Sequence, residues 1–589
     1  MIVGDIARKI ELNIRRLTPP GLYYDLEAIR RAPADIARKA DLILPTRTWN
    51  NRIAEETYET KPPIASNRRD GVANIERRVP DFIPGYGPAK PYSSPFANLG
   101  LVRRAPVRLR SSPPRHKKVL PNLAAAIAAC EIKSGATISF HHHLRNGDKV
   151  LNAVLAEIEK MGLTDITVAA SALFPVHASL LDHIRRGTVT RICASTIYGP
   201  LAAAVSQGQL ASPVLMYTHG GRTRCIESGD LHIDATFVAA PTADTYGNLN
   251  GIDGKSACGS LGYAVADAHF ADNVVAITDN LVPYPAAPIE ISRDYVDYVV
   301  NVDSIGDSSQ IVSGTTHITT NPIGLRIAEM AAQIIEASGY LRDGFSFQTG
   351  AGGTSLAVAA CIKRKMLQAK VQGSFAAGGI TGGIVEMLDA GLFRGLLDVQ
   401  AFDLRAIDSL RRNSSHQSMS ASMYANPHNR GCVVNQLDTV ILGAAEIDVD
   451  FNVNVSTGAD GLILGGSGGH ADTAAGAKLA LITTQLNAGI HPKIVERVNT
   501  VTTPGETVDA VVTNEGVAVN PRRSDLADRL SSHGIPVVSI HELLGKAKRH
   551  GSQHPPETRR VTDRVVAVVE YRDGTVIDVV RSLENGPQG

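Results

Sequence analysis

Two short glycine-rich segments in the second half of the sequence have the composition of loops that bind anions. QTGAGGT covers residues 348–354 and GLILGGSGGHADTAAGAK covers 461–478, and each stands between a strand-like and a helix-like run. Glycines at such a junction let backbone amides approach a ligand beside a helix N-terminus, which suits an anion or a developing oxyanion. Tight turns and close packing use glycine too, so neither segment is decisive alone. Neither segment closes with Gly-Lys-Ser/Thr, which excludes a P-loop.

Three consecutive histidines offer a second kind of chemistry. His141, His142 and His143 follow the strand-like segment ATISF, and Arg145 comes two residues later. Neighbouring side chains on an extended chain point to opposite sides, so all three cannot bind one metal, whereas His141 and His143 could share a face. Metal binding, hydrogen bonding within the loop and substrate contact remain three open interpretations.

Paired carboxylates occur in AEIDVDFNVN, where Glu446, Asp448 and Asp450 alternate. One of them could act as an acid or base or orient a donor. The alternation is equally typical of the polar face of a half-buried strand. Ser256 and Cys258 lie near glycines, but no histidine at a useful spacing marks either as a nucleophile.

The elements around these motifs predict an α/β fold. ATISF reads as a strand, KVLNAVLAEIEKMG as a helix with apolar residues at helical spacing, and DITVAAS as the next strand. This is a βαβ unit of a largely parallel sheet, in which ligands bind beyond the carboxyl ends of the strands.

The pattern occurs twice, which predicts two tandem related α/β domains, at 119–335 and 336–550, with an active-site cleft between them. Phe347 takes the place of Phe140, 207 residues earlier, and Phe451 lies 214 residues after Phe237. Two similar offsets indicate a duplication, although any two α/β domains look alike at this level.

The flanking segments carry less information. Residues 1–78 are predicted to be a partly helical or disordered N-terminal extension, and 551–589 a β-rich C-terminal tail. Residues 79–118 are rich in proline and glycine and end in RRAPVRLRSSPPRHKK, with seven Lys/Arg in sixteen residues. Such a run could touch RNA, but a solvated basic linker needs no partner and is the favoured interpretation.

Composition excludes several classes of function. Hydrophobic residues make up 43% and charged residues 20%, and 59 Lys/Arg nearly cancel 58 Asp/Glu, so no global field would recruit nucleic acid or a membrane. Six scattered cysteines without a CxxC pair predict reduced thiols in the cytoplasm. We expect no signal peptide and no transmembrane helix.

Long segments of the chain, in order, resemble the citrate lyase alpha subunit branch of the coenzyme A transferase superfamily. They include SFHHHLRNGDKVLNAV, HGGRTRCIESGDLHIDATFVAAPTADTYGNLNGIDGKSACGSLGYA, FQTGAGGTSLAV, GGITGGIVEML, AEIDVDFNVN, GGSGGHADTA and VVAVVEYRDGTVIDVV. The resemblance runs from about Val79 to Leu583.

The resemblance implies a citrate CoA-transferase activity. The acetyl thioester of an acyl carrier (gamma) subunit would be exchanged for a citryl thioester with release of acetate, and a beta (lyase) subunit would then cleave the product. No cofactor or metal would be bound directly, because the thioester sits on the carrier's own coenzyme-A-like arm. Alternatives are a transferase or thioesterase of the same fold acting on free acetyl-CoA, and a noncatalytic scaffold for the carrier.

One departure from the superfamily bears on mechanism. Other coenzyme A transferases attack with a glutamate expected just after the strand that here reads QGSFAAGGITGG, yet no Asp or Glu occurs from Gly344 to Val385. The resemblance therefore implies direct attack of a citrate carboxylate through a mixed anhydride.

The candidate site residues fall into two groups. The expected catalytic residues are Gly350, Gly352, Gly353 and Glu446. The expected substrate-binding residues are His141, His143, Arg145, Asn248, Lys255, Gly465, Gly466, Gly468, Gly469 and His470.

Overall fold

The computed structural model describes residues 79–97, 104–107, 111–113, 116–312, 317–350, 352–551 and 561–583. The extension predicted for residues 1–78 therefore lies outside the described residues. Eighteen strands form two large sheets within the described part of the chain. In chain order they are β1 (Val119–Leu120), β2 (Thr137–Phe140), β3 (Ile166–Ala170), β4 (Val189–Ala194), β5 (Val214–Met216), β6 (Ala235–Ala239), β7 (Asn273–Thr278), β8 (Tyr298–Asn301), β9 (Ser346–Thr349), β10 (Gly373–Ile380), β11 (Phe393–Ala401), β12 (His416–Ser418), β13 (Thr439–Leu442), β14 (Leu479–Thr483), β15 (Ala510–Thr513), β16 (Gly516–Val519), β17 (Val561–Glu570) and β18 (Val576–Leu583).

The two sheets share one topology. The first has the order β18-β17-β5-β4-β3-β2-β6-β7-β8-β1, and the second β12-β11-β10-β9-β13-β14-β15-β16. Neighbouring strands run parallel, except that β18 is antiparallel to β17 and β16 to β15. The run β5-β4-β3-β2-β6-β7-β8 repeats as β12-β11-β10-β9-β13-β14-β15, so the predicted α/β fold with two related sheets is confirmed. The domain boundaries at 335 and 550 stay a prediction, and the C-terminal hairpin β17–β18 pairs with the first sheet.

Helices link the strands of both sheets. They are α1 (Leu123–Ala129), α2 (Val150–Lys160), α3 (Leu180–Arg185), α4 (Gly199–Ser206), α5 (His219–Ser228), α6 (Ala264–Phe270), α7 (Pro322–Ala337), α8 (Gly353–Ala369), α9 (Gly382–Asp389), α10 (Leu404–Arg412), α11 (Ala421–Ala425), α12 (His470–Gly476), α13 (Ser524–Ser532) and α14 (Ile540–His550). Apolar residues at helical spacing face the core, as in α2, where Leu151, Val154, Leu155 and Ile158 are buried. Each such side chain contributes roughly 1.5–3 kcal/mol through burial.

The structure corrects the register of the predicted duplication. Phe237 lies within β6, whereas Phe451 lies in a turn with a φ of 65°, so the two residues are not equivalent. Gly247, with a φ of 94°, occupies the matching turn position in the first half. Ile138 pairs with Ala235, the first residue of β6, and Phe347 pairs with Thr439, the first residue of β13. Phe347 therefore matches Ile138 and not Phe140. The predicted alignment of β9 with β2 was thus displaced by two residues. Because side chains alternate between the faces of a strand with period two, the prediction still assigned each side chain to the correct face.

Among the described residues, no helix combines the length and apolar character needed to cross a membrane. All six cysteines are buried and free of disulfides.

Candidate active site

The loops after β2 and β9 occupy equivalent places. In the first sheet, β3, β4 and β5 lie on one side of β2, and the chain then crosses to the other side to form β6. In the second sheet, β10, β11 and β12 lie on one side of β9, and the chain then crosses to form β13. Open α/β sheets bind ligands at the carboxyl ends of strands beside such a topological switch point. His141 directly follows β2, and Gly350 directly follows β9. The two motifs singled out in the sequence therefore begin at the two switch points.

A buried ion pair anchors the first of these histidines. His141 Nε2 lies 3.4 Å from Asp267 Oδ2. Arg222 donates to both oxygens of the same carboxylate at 2.7 and 2.8 Å, and to the carbonyl of Ala169 at 3.1 Å. Burial alone would raise the pKa of Asp267, but the Arg222 guanidinium and His141 lower it well below its ordinary value. Asp267 is therefore an ionised carboxylate, held by Arg222, that lies against the His141 ring.

The other two histidines face different surroundings. His143 stacks on His141 with ring centroids 5.7 Å apart, and neither of its ring nitrogens has a hydrogen-bond partner among the described residues. His142 instead contacts Ser171 Oγ through Nδ1 at 2.5 Å and stacks on His219 at 5.6 Å. Burial lowers the pKa of His142 and of His143 well below the usual value, so both imidazoles are neutral. The three rings do not converge on one point, and the only metal-like grouping in the described part of the chain is His232, Asp234 and Asp272.

Arg145 and the loop after β2 contact the second half. The Arg145 backbone has a φ of 51°, and its guanidinium lies over the rings of Phe174, at 5.4 Å, and Phe402, at 5.1 Å. Phe402 directly follows β11, and Gln400 at the end of that strand donates to the carbonyl of His142 at 2.9 Å. The aromatic faces stabilise the cation at the seam where the carboxyl ends of the two sheets meet.

The first glycine cluster forms a strand-to-helix turn. The amide of Gly350 donates to the carbonyl of Ile441 in β13 at 2.7 Å, so this donor is already used by the protein. Gly352 is the N-cap of the seventeen-residue helix α8, which begins at Gly353 and has no side-chain cap. Uncapped first-turn amides are donors for an anion. The amide-cradle prediction therefore fits Gly352 and Gly353 better than Gly350.

The second glycine cluster packs against the first sheet. The Gly468 carbonyl accepts from the His219 amide at 2.8 Å, and the Gly465 carbonyl accepts from the Ile197 amide at 3.3 Å. A Cβ on Gly466 would stand 2.1 Å from the Ser195 carbonyl oxygen. The cluster from Gly465 to Gly469 thus owes much of its composition to close packing at the seam, the second interpretation that the sequence left open.

His470 and Glu446 have protein partners. His470 Nε2 donates to the Gly443 carbonyl at 2.8 Å, and its Nδ1 accepts from Thr503 Oγ1 at 2.7 Å. Burial lowers the pKa of His470 to about 4, so it is neutral and holds the loop after β13. Glu446 Oε2 accepts from Asn454 Nδ2 at 2.9 Å and from the Asn499 amide at 3.2 Å.

Asn248 and Lys255 lie in the segment between β6 and α6. Asn248 donates to Asp244 Oδ2 at 2.6 Å and accepts from the Arg293 amide at 3.1 Å, so both ends of its side-chain amide have protein partners. Lys255 is exposed and donates to the carbonyl of Asp303. No hydrogen bond or ion pair described in the structure joins either residue to the histidine loop, and their predicted role in substrate binding stays a prediction.

A buried carboxylate that the sequence analysis missed joins the two halves. Asp472 accepts from Thr218 Oγ1 at 2.9 Å and from the Gly220 amide at 3.0 Å, and Arg572 Nε lies 3.6 Å away. Burial raises the pKa of Asp472 to about 6. Its position beside α5 brings His219 against the second glycine cluster. A histidine that opens a helix in HGGR, three residues after a strand, was a signal that could have identified this region.

Comparison with known proteins then identifies the family. The family model described as citrate lyase, alpha subunit (CitF) matches residues 116–583. The citrate lyase alpha chain of Escherichia coli K12 is 48% identical over 470 residues, which cover 80% of this chain and 92% of the relative. This chain belongs to the citrate lyase alpha subunit family. The alpha chain of Klebsiella pneumoniae is 46% identical over 492 residues, 84% of this chain and 96% of that relative.

Solved structures of the family and its fold agree. A Streptococcus mutans protein described as the alpha subunit of citrate lyase, in complex with citrate, is 46% identical with a TM-score of 0.83, covering 87% of this chain and 100% of its own. The malonate decarboxylase alpha subunit of Acinetobacter baumannii has a TM-score of 0.54 at 16% identity, covering 75% of this chain and 90% of its own. The latter likeness shows the fold alone. The family of the chain predicted from its motifs is confirmed.

Proposed function

We propose that this chain is the transferase subunit of a citrate lyase and converts an acetyl thioester and citrate into a citryl thioester and acetate. The observation that carries this proposal is the family match, which spans both switch-point loops from residue 116 to 583. The Streptococcus mutans relative, solved with citrate, supports the choice of substrate. We place the active site in the cleft between the halves, where Arg145 meets Phe402.

The chemistry is direct carboxylate attack. A citrate carboxylate oxygen bonds to the thioester carbonyl carbon and the C–S bond breaks. The products of this step are a free thiolate and a mixed anhydride of acetate and citrate. The thiolate then attacks the citryl carbonyl and acetate leaves, so charge and atoms balance in both steps. No carboxylate stands between β9 and Glu386, and Glu386 is paired with Lys363 at 3.0 Å and Arg405 at 2.5 Å. The protein therefore positions the reactants and stabilises charge without supplying a nucleophile.

The charges at the seam suit such a role. Citrate brings several carboxylates, and Arg145 supplies a fixed cation held between two aromatic rings. The imidazoles of His142 and His143 are neutral and offer hydrogen bonds without adding charge. The uncapped first-turn amides of α8, beginning at Gly353, are further donors in the second half.

The proposal includes two partners and a compartment. The thioester would be carried by an acyl carrier (gamma) subunit with a coenzyme-A-like arm, and a beta (lyase) subunit would cleave the citryl thioester, with no cofactor bound by this chain. Holding the subunits together raises the effective concentration of the arm at each site. Six buried thiols without disulfides fit a reducing cytoplasm.

The deciding experiment is an exchange assay with two donors. We expect citrate-dependent release of acetate from acetylated carrier protein, much faster than from free acetyl-CoA. Release from free acetyl-CoA alone would favour the general transferase, and release without citrate would favour a thioesterase. No citrate-dependent release from either donor would contradict the proposal, and gel filtration without association would contradict the partners.

A further inference from the structure

His219 stands at the place where the two halves of the molecule are joined. It follows β5 by three residues and is the first residue of α5, whose N-cap, Thr218, accepts from the Gly221 amide at 2.8 Å. Its own amide donates to the carbonyl of Gly468 at 2.8 Å. The backbone of His219 is thus fixed against the second glycine cluster.

The imidazole of His219 is held in one orientation. It stacks on His142, with ring centroids 5.6 Å apart and planes within 15°, and contacts the Tyr263 ring at 4.6 Å. Nε2 lies 3.4 Å from the point that a Cβ on Gly468 would occupy, so a glycine at this position leaves the nitrogen uncovered. Gly468 also has a φ of 51°, which favours glycine there.

The two ring nitrogens of His219 differ. Nδ1 is buried with no hydrogen-bond partner among the described residues, whereas the residue as a whole is partly exposed. A buried N–H without a partner is less tolerable than a buried acceptor without one. The proton therefore belongs on Nε2, and the ring presents an N–H donor on the side of the glycine cluster.

We propose that His219 is a catalytic hydrogen-bond donor whose Nε2–H binds the carbonyl oxygen of the thioester during acyl exchange. This inference rests on the proposed function. When the incoming carboxylate oxygen bonds to the carbonyl carbon, the π electrons of that carbonyl move to its oxygen, and the Nε2–H stabilises the resulting oxyanion. When the C–S bond breaks, the carbonyl re-forms and the thiolate leaves. His219 neither gains nor loses a proton.

The electrostatics of the site support a neutral donor. Burial, with a further contribution from Arg222, lowers the pKa of His219 to about 3. The imidazole therefore remains uncharged throughout the physiological range, and its donor strength does not depend on pH. A donor positioned before the reaction needs no reorganisation when the oxyanion forms.

Three substitutions in the reconstituted complex test this role. His219→Phe keeps a stacking ring but removes the N–H, and we expect kcat to fall about 10²–10³-fold, the loss typical of one missing oxyanion donor, with KM for citrate changed by less than about threefold. In His219→Gln the amide nitrogen can reach the place of Nε2, so kcat should recover to within about tenfold of wild type. The amide of His219→Asn reaches only the place of Nδ1 and should not restore kcat.

The outcomes separate this inference from the proposed function. No exchange by the wild-type complex would contradict the proposed function, and this role with it. Wild-type exchange with an unchanged kcat in His219→Phe would overturn the role of His219 alone. If the phenylalanine variant fails to fold, the Gln and Asn pair decides, and equal kcat values would overturn the role. The pH profile of kcat should keep its shape in His219→Gln, and loss of a limb would show proton transfer in place of donation.

Discussion

The two halves of the molecule share one scaffold but differ at their switch points. After β6 and after β13 the chain makes the same turn, in which Asn248 donates to Asp244 and Asn452 donates to Asp448. Tyr246 and Asp450 contribute their amides to these aspartates in the same way. After β2, however, the first half places imidazoles and a guanidinium, whereas after β9 the second half places glycines.

The difference teaches where the function diverged. These turns have the same hydrogen bonds in both halves, so they belong to the scaffold that the halves share. The loops after β2 and β9 are free to differ, because loops at the carboxyl ends of strands carry function on a scaffold that need not change. We therefore propose that one half contributes cationic and neutral side chains to the site and that the other contributes backbone amides.

The largest expected effect comes from breaking the support of the first loop. Arg222→Met would leave Asp267 as a buried charge without its bidentate partner, so the free energy of unfolding should fall by about 3–5 kcal/mol in urea denaturation. In the second half, the corresponding loop begins at Gly350, whose amide donates to the backbone carbonyl of Ile441. Arg185→Met, which breaks an exposed pair with Asp182, is the control and should cost less than about 1 kcal/mol. Similar losses in both variants would contradict this account.

How much of this could be predicted from the sequence depends on the range of the interactions. The strand, helix and strand from ATISF to DITVAAS were predicted nearly to the residue, because period and burial are local signals. The support of His141 was not predicted, since Asp267 and Arg222 lie far along the chain and meet it only in the fold. The glycine cluster at 465–469 was ambiguous for the same reason, because its contacts with Ser195 and His219 are tertiary.

A second asymmetry is the hairpin β17–β18, which extends only the first sheet. It brings Glu570 into the interior, where it accepts from Tyr86 Oη at 2.8 Å. Burial raises the pKa of Glu570 to about 7, against smaller lowering effects from Tyr86 and Arg224. Because the folded pKa lies above the unfolded value of about 4.3, protonated Glu570 stabilises the fold at low pH, and this contribution is lost as pH rises through 7.

Glu570→Gln tests this pH dependence. The variant imitates the protonated side chain, so its stability relative to wild type should rise by about 3 kcal/mol between pH 4.5 and pH 8. Urea denaturation at both pH values measures the difference. Glu386→Gln, a half-buried surface control whose pKa is lowered by hydrogen bonds to Lys363 and Arg405, should show no such rise. A flat difference for Glu570→Gln would refute the effect.

The comparison also separates the two glycine clusters. Gly466→Ala would force a Cβ against the Ser195 carbonyl, 2.1 Å away, and should destabilise the protein by about 2 kcal/mol. Gly352→Ala meets nothing closer than Ser355 Oγ at 3.9 Å and has an ordinary backbone conformation, so it should be tolerated within about 0.5 kcal/mol. Thermal unfolding of both variants checks the contrast. A tolerated Gly466→Ala would mean that packing does not explain this cluster.

The smallest expected effect is mainly on the KM for citrate. Arg145→Met keeps an apolar stem between Phe174 and Phe402 but removes the cation. The loop after β2 would then lack its positive charge. KM for citrate should rise about tenfold, or about 1.4 kcal/mol, with a smaller change in kcat, because a charge on a remote carboxylate acts on ground state and transition state alike. Arg405→Met removes an exposed arginine of α10, in the second half, and should leave the KM for citrate within about twofold of wild type. An equal effect of both variants would contradict the binding of citrate by Arg145 in the loop after β2. The proposal that the first half provides the cation for citrate would then be wrong.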